Sequence, residues 1–303
     1  MSDTNLINGS RDDLVVDASR CLKMRFNESS CHRCVDICPH NAVSLDGFIA
    51  INPNHCSGCL LCTVVCPVGA LEQNNDFFNT SAQLSRVPEP ILGCIRTKEQ
   101  SNATLACLGG LSEEHLLTLC HSLSGNLTLN LTACRDCPNN DIIPALQQRL
   151  KELAESGLLG CCNLVIADTA QDIHFRDESV DRRSFFKSLR GSLFHSAALL
   201  ISTNEQTKQF TGYAKKRIPE KRECLNITVM RLPPELASLV RARFEQMIVF
   251  CNTCTTCQSC VAICPTGALL TDSTDTHPHF DPQRCTGCGL CVEFCPEGAL
   301  KFA

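Results

Sequence analysis

The residues best placed to do chemistry in this chain are cysteines, 25 among 303 residues. Near the N-terminus they fall in CHRCVDICP (31–39) and CSGCLLCTVVCP (56–67); near the C-terminus they fall in CTTCQSCVAICP (254–265) and CTGCGLCVEFCP (285–296). A cysteine at every third position lets one tight loop offer three thiolates to an inorganic iron-sulfur cube, whose fourth ligand must come from elsewhere. In C-x2-C-x2-C-x3-C-P that fourth cysteine stands before a chain-reversing proline and faces the neighbouring cube. Zinc fits poorly, because zinc sites draw on pairs of cysteines and need no crossed sharing.

Both C-terminal runs are complete. Cys254, Cys257 and Cys260 pair with Cys295 on one cluster, and Cys285, Cys288 and Cys291 pair with Cys264 on the other. In the N-terminal copy Cys56, Cys59 and Cys62 with Cys38 make a full set, whereas Cys31, Cys34 and Cys66 are only three, since Glu28 stands where the first cysteine belongs. Cys21, ten residues upstream of Cys31, is the expected fourth ligand through a loop at LKMRFNESS. Ligation by Glu28, or a three-iron cluster with an open corner, are the alternatives. Cys251 is surplus and is expected to be a buried spare thiol.

These runs closely resemble the bacterial dicluster ferredoxin family, over residues 249–303 in full and over 18–75 with the one departure. The resemblance implies a pseudo-twofold βαββαβ domain at each end, carrying two low-potential one-electron 4Fe-4S clusters. About four clusters follow for the whole chain, with a fifth if its middle also binds one. The tail Cys-Pro-x-x-Ala recurs four times, an internal repeat in itself.

The elements that must position these loops divide the chain by cysteine texture. The expected fold class is α+β, with two dicluster ferredoxin-like modules flanking a small α/β domain. The divisions are a tail (1–17), a first module (18–75), an α/β middle (76–203), a linker and helix (204–248) and a second module (249–303). AVSLDGFIAINP reads as a hairpin about Asp46-Gly47, and ALLTDSTDTHPHFDP as one with a longer polar turn. In the middle, PILGCI, NATLAC and LTLNLTAC read as strands ending in cysteine, with helices at LSEEHLLTLCHSL and NDIIPALQQRLKELAES capped by Ser112 and by Asn140 or Asp141. Strand followed by helix argues a parallel sheet. Residues 204–224 read as a linker.

If those strands are parallel, Cys94, Cys107 and Cys134 meet at one sheet edge and Cys137 follows by two intervening residues, which makes a further iron-sulfur or zinc site. The plainer alternative is a set of core thiols. Cys120 and Cys224 read as structural. Cys161-Cys162 is a vicinal pair like that of the CCG modules of heterodisulfide reductases, but Asn163 replaces the glycine and no C-x2-C follows at a comparable distance, so the match is rejected. His32 and His55 flank cluster ligands and are expected to be exposed. DRRSFFK (181–187) is too far inside the chain for a twin-arginine signal, and 182–200 reads as an amphipathic helix that packs on the middle domain or docks on a partner or a membrane surface.

Composition narrows the function. The start MSDTNLINGSRDD has no apolar core and no later segment is a membrane span, so the expected location is cytoplasmic, where thiols stay reduced and dense cysteine means metal. A net charge of -5, no Trp and one Tyr argue against nucleic acid. No G-x-G-x-x-G, P-loop or C-x3-C-x2-C is present, so flavin, nicotinamide, nucleotide and radical chemistry find no motif. The expected function is electron transfer between redox proteins, as a relay subunit of a larger oxidoreductase. The alternative is a redox enzyme using a cluster or thiols in the middle domain.

Overall fold

A computed structural model describes residues 12–123, 125–160, 162–175, 216–271 and 277–303. The first module holds β1 (Leu14–Val16), α1 (Leu22–Arg25), α2 (Arg33–Asp36), β2 (Val43–Ser44), β3 (Ala50–Ile51), α3 (Leu61–Val65) and β4 (Leu71–Gln73). β1 pairs antiparallel with β4, Leu14 opposite Gln73, while β2 and β3 form the hairpin, Val43 opposite Ile51. Gly47 at φ +73° makes its turn. Apart from α1, the order is β-α-β-β-α-β. β1, which lies upstream of residue 18, is the antiparallel partner of β4.

The middle begins with α4 (Phe77–Leu84), which Asp76 caps through the Asn79 N–H at 2.9 Å. It continues through β5 (Ile91–Cys94), β6 (Ala103–Leu105), α5 (Glu113–Ser122), β7 (Leu127–Asn130), α6 (Ile142–Glu155) and β8 (Leu164–Ala167). The four strands make a parallel sheet in the order β6-β5-β7-β8. β8 was not foreseen in the sequence. The link from β5 to β6 is not an α-helix but a short 3-10 turn, Ile95–Gln100. Ser112 caps α5 in a capping box with His115, whereas the Asp141 side chain makes no capping bond to α6. Leu92, Leu127 and Leu129 are fully buried between sheet and helices.

Among the described residues, two helices precede the last module, α7 (Glu220–Val229) and α8 (Pro234–Phe244). α7 takes up the end of the stretch read as a linker. It packs on α5, where the Thr228 hydroxyl donates to Thr118 Oγ1 at 3.0 Å. The last module repeats the first: β9 (Ile248–Phe250), α9 (Ser259–Ile263), β10 (Leu269–Leu270), β11 (His279–Phe280), α10 (Leu290–Glu293) and β12 (Leu300–Phe302). β9 pairs with β12 and β10 with β11, both antiparallel. Cys161, DRRSFFK and the amphipathic stretch 182–200 lie outside the described residues.

The two modules meet directly. The rings of Phe26 and Phe294 pack edge to face at 5.1 Å, the Ser30 hydroxyl donates to Glu293 at 2.6 Å, and Arg25 donates to the Ile263 carbonyl at 3.2 Å. Glu72 is the hub behind this seam. Its carboxylate accepts from Arg20 at 3.3 Å, from Arg217, and from the Glu220 N–H at 2.9 Å. Burial, then the Glu72 charge, pushes the Glu220 carboxyl up to about 7. Because the folded chain holds this proton more tightly than the unfolded one, stability falls as pH rises from about 4.5 through 7. Glu220→Gln is expected to flatten that slope and to stabilise the chain at pH 8 by about 1–3 kcal/mol. Urea unfolding of both proteins at pH 6 and pH 8 checks this, and identical pH slopes would contradict it.

Candidate metal centres

The three complete cysteine runs share one backbone path. The residue before the second cysteine and the residue after it are both left-handed: Gly58 and Leu60, Thr256 and Gln258, Gly287 and Gly289. Glycine adopts such angles freely, but Leu, Gln and above all β-branched Thr do not, so the loop geometry is held against local preference. A short helix (α3, α9 or α10) starts at once and carries the third cysteine in its first turn. Backbone N–H groups two residues ahead point back at the sulfurs, Leu61 at Cys59, Gly287 at Cys285 and Leu290 at Cys288.

The repeated Cys-Pro-x-x-Ala tail has an equally local cause. The residue before the alanine is left-handed in all four copies, Asn41, Gly69, Gly267 and Gly298. That turn carries the alanine N–H back to the cysteine: Ala42 donates to Cys38 Sγ at 3.2 Å, Ala70 to Cys66 at 3.2 Å and Ala299 to Cys295 at 3.3 Å. At the fourth copy the Thr266 hydroxyl lies 3.6 Å from Cys264 Sγ. All four alanines are buried. The repeat was visible in the sequence, but its role as a clasp on sulfur was not.

These paths gather the sixteen cysteines into four groups. Cys38, Cys56, Cys59 and Cys62 line one pocket together with Val43 and Ile51. Cys254, Cys257, Cys260 and Cys295 line another with Pro278 and Leu300. Cys291 interacts electrostatically with Cys288, Cys264 and Cys285. In the remaining group burial, then Cys66, Cys21 and Cys31, pushes the Cys34 thiol up to about 12. Cys21 therefore stands with those three, whereas Glu28 is exposed. The first run also lacks the left-handed loop of the others, its His32 having φ −129°. In its place α1 supplies the positioning: Cys21 sits at the helix start, with the Lys23 and Met24 N–H groups facing its sulfur.

Burial dominates the electrostatics. It pushes Cys288 up to about 12 and Cys260 to about 11, and raises Cys62 and Cys291 further. Thiolates packed this closely repel one another, so an iron cluster, which binds the deprotonated form, must displace protons and supply the compensating positive charge. The donor set fits such a group. Arg20 and Arg222 are buried beside Cys66 and Cys285, and Arg20 Nε and Arg222 Nε and Nη1 have no hydrogen-bond partner in the protein. Glu72 already pairs with Arg20 and Glu114 faces Arg222, yet these remaining buried N–H groups need an acceptor, and a thiolate-ligated cluster is one. Among the described residues no three His, Cys, Asp or Glu side chains close around a point as a single ion requires. A cube of iron and sulfide is a larger body than one ion.

The groups also adjoin one another. Cys62 interacts with Cys34, and Cys291 with Cys260, within the two modules. Across the seam Cys288 interacts with Arg33, the residue preceding Cys34. The order is thus the Cys38 group, the Cys21 group, the Cys264 group and the Cys254 group. A cleft of about 570 Å³ opens beside the seam, lined by Arg33, Lys221, Arg222 and Arg243 against a single carboxylate, Glu114.

Of the other singled-out residues, Cys224 is fully buried in α7 and Cys251 is half-buried rather than enclosed. The Cys120 and Cys162 thiols hydrogen-bond to each other. His32 and His55 are exposed.

Comparison with known proteins agrees with this geometry. The family model of the 4Fe-4S dicluster domain matches residues 29–70 and 241–299. The chain is 37% identical over 62 residues to formate hydrogenlyase subunit 2 of Escherichia coli (17% of this chain, 30% of that protein). It is 45% identical over 40 residues to the electron transport protein HydN (13% and 23%) and 47% identical over 47 residues to hydrogenase-4 component A (14% and 23%), both of Escherichia coli. The chain thus spans less than a third of the length of these relatives. Two modules of sulfur-clasping loops, matched by one family description at both ends, identify residues 29–70 and 241–299 as 4Fe-4S dicluster domains, and the chain as an iron-sulfur protein with multiple clusters.

Proposed function

We propose that the chain is an electron relay of four 4Fe-4S clusters and works as a subunit of a larger oxidoreductase. Cys21, Cys31, Cys34 and Cys66 hold the first cluster, and Cys38, Cys56, Cys59 and Cys62 the second. Cys264, Cys285, Cys288 and Cys291 hold the third, and Cys254, Cys257, Cys260 and Cys295 the fourth. When bound, the clusters supply one-electron chemistry at potentials that nearby charge and hydrogen bonds tune. The protein's own part is to space them, shield them from water and clasp their sulfurs with amides. Arg20 and Arg222 favour the reduced, more negative state of the clusters beside them.

The seam between modules carries this conclusion. A shuttle needs one cluster with one exposed edge, whereas here Phe26, Phe294, Ser30, Glu293 and Arg25 lock two dicluster modules together at their inner groups. The result is a row with two separate ends. Two of the similar Escherichia coli proteins are named as components of formate hydrogenlyase and hydrogenase-4, which supports a place in a complex. A cytoplasmic site would keep the ligand cysteines reduced, and among the described residues no helix is long and apolar enough to cross a membrane.

Tagged chain purified anaerobically from its native host tests the relay. The expected result is co-elution with a redox-catalytic subunit, whose substrate then bleaches the visible cluster absorption of this chain. Elution alone, with clusters that only a diffusible reductant can bleach, would make it a free carrier and overturn the subunit role.

A further inference from the structure

The middle domain presents a second kind of cysteine group. Cys94 closes β5, Cys107 lies two residues beyond β6, and Cys134 lies four beyond β7. β6, β5 and β7 are neighbours in a parallel sheet, with Cys94 opposite Leu105 in register. All three thiols therefore leave the same C-terminal edge, where open parallel sheets place their ligands. A turn closed by the Cys137 N–H on the Cys134 carbonyl, at 3.2 Å, adds a fourth. Cys94, Cys107 and Cys134 are buried and Cys137 is half-buried.

Core cysteines pack singly or, as Cys120 and Cys162 do, in one pair. The cysteines at the sheet edge interact with one another: Cys107 with Cys94 and Cys134, and Cys134 with Cys94 and Cys137. Cys107 also accepts from the Gly109 N–H two residues ahead, the same bond that Cys59, Cys285 and Cys288 make in the dicluster modules. Asn139 Nδ2 lies 3.9 Å from Cys107 Sγ and donates to the Ser57 carbonyl at 3.2 Å. Gly109 is pressed so tightly on the Cys59 loop that a Cβ would come within 2.2 Å of the Cys59 carbonyl oxygen. The Cys107 loop and the Cys56–Cys59 loop thus lie back to back.

The geometry points to a fifth 4Fe-4S cluster held by Cys94, Cys107, Cys134 and Cys137, next to the Cys38, Cys56, Cys59 and Cys62 group and at that end of the row. It rests on the module cysteines holding clusters only for its neighbour, so the two readings fail separately. By contrast Cys120 and Cys162 are a pair of touching thiols and offer no such set among the described residues.

The test is the metal content of the whole chain, purified anaerobically, by iron, sulfide and zinc analysis. The expected count is about twenty irons and as many sulfides per chain, against about sixteen if only the modules are loaded. Cys137→Ser, the mildest change because the residue is half-buried, and Cys94→Ala are each expected to lower iron by up to about four while the module clusters keep their spectra. Wild-type iron at about sixteen, or one zinc per chain that these variants lose, would overturn the fifth cluster and leave the modules standing. An iron-free wild type would overturn both. The wild-type count decides the matter even where a variant fails to fold.

Discussion

Cys21→Ala is expected to strip the first cluster of its fourth thiolate, giving either a three-iron cluster or loss of the cluster, a fall of about one to four irons per chain. Glu28→Gln is expected to change nothing. Cys21 is buried beside Cys31, Cys34 and Cys66 at the start of α1, whereas the Glu28 carboxylate is exposed. Because the first group lies between the second and the seam, its loss also separates the N-terminal half of the row from the C-terminal half. Iron analysis with electron paramagnetic resonance of the oxidised protein distinguishes the cases. Full iron in Cys21→Ala with loss in Glu28→Gln would reverse the assignment and make the carboxylate the ligand.

The second large effect is on folding. Removal of iron from the whole chain is expected to make both ends protease-sensitive while the parallel sheet resists, and to loosen the C-terminal module most. Its strands are two or three residues long and its helices four or five, lengths that hold no structure alone. Its separate core consists of Ile248, Val261, Ala268, Leu269 and Leu300 together with four cysteines, Cys260, Cys264, Cys285 and Cys291. On the proposed ligand assignment those thiols serve the core chiefly through their clusters, so metal binding and folding are expected to be one equilibrium there. The N-terminal module shares a continuous core with the sheet, through Leu60, Leu71, Leu108 and Leu111. Limited proteolysis of iron-depleted chain with mass mapping checks this. Equal resistance at both ends and in the middle would count against it.

Much of this arrangement was legible in the cysteine spacing, because a run at every third residue is dictated by the cluster it grips. The Asp46-Gly47 hairpin and three of the four parallel strands were also legible, each from a local signal, whereas the βαββαβ order followed from the family resemblance. Four things were not. β1 lies outside the expected module boundary because its only sequence signal is Leu-Val-Val, and its pairing with β4 spans more than fifty residues. β8 is mostly half-buried or exposed, unlike the buried β5, so its apolar signal is weak. α7 begins inside a polar, basic stretch, and its burial is decided by α5, not by its own composition. The seam between modules is a matter of tertiary contact, carried by single residues such as Phe26 and Phe294 that no motif marks. The left-handed Leu60, Thr256 and Gln258 likewise contradict their own preferences, as backbone at a ligand-gripping loop can.

The central claim, that sulfurs from distant loops grip shared iron-sulfur cubes at both ends of the chain, is tested most directly by truncating the ligand sets one module at a time in otherwise intact protein. Replacing Cys56, Cys59 and Cys62 with serine should abolish the second cluster, and replacing Cys285, Cys288 and Cys291 the third, each with a fall of about four irons and four labile sulfides per chain. Iron and sulfide that stay constant in both variants would contradict the account.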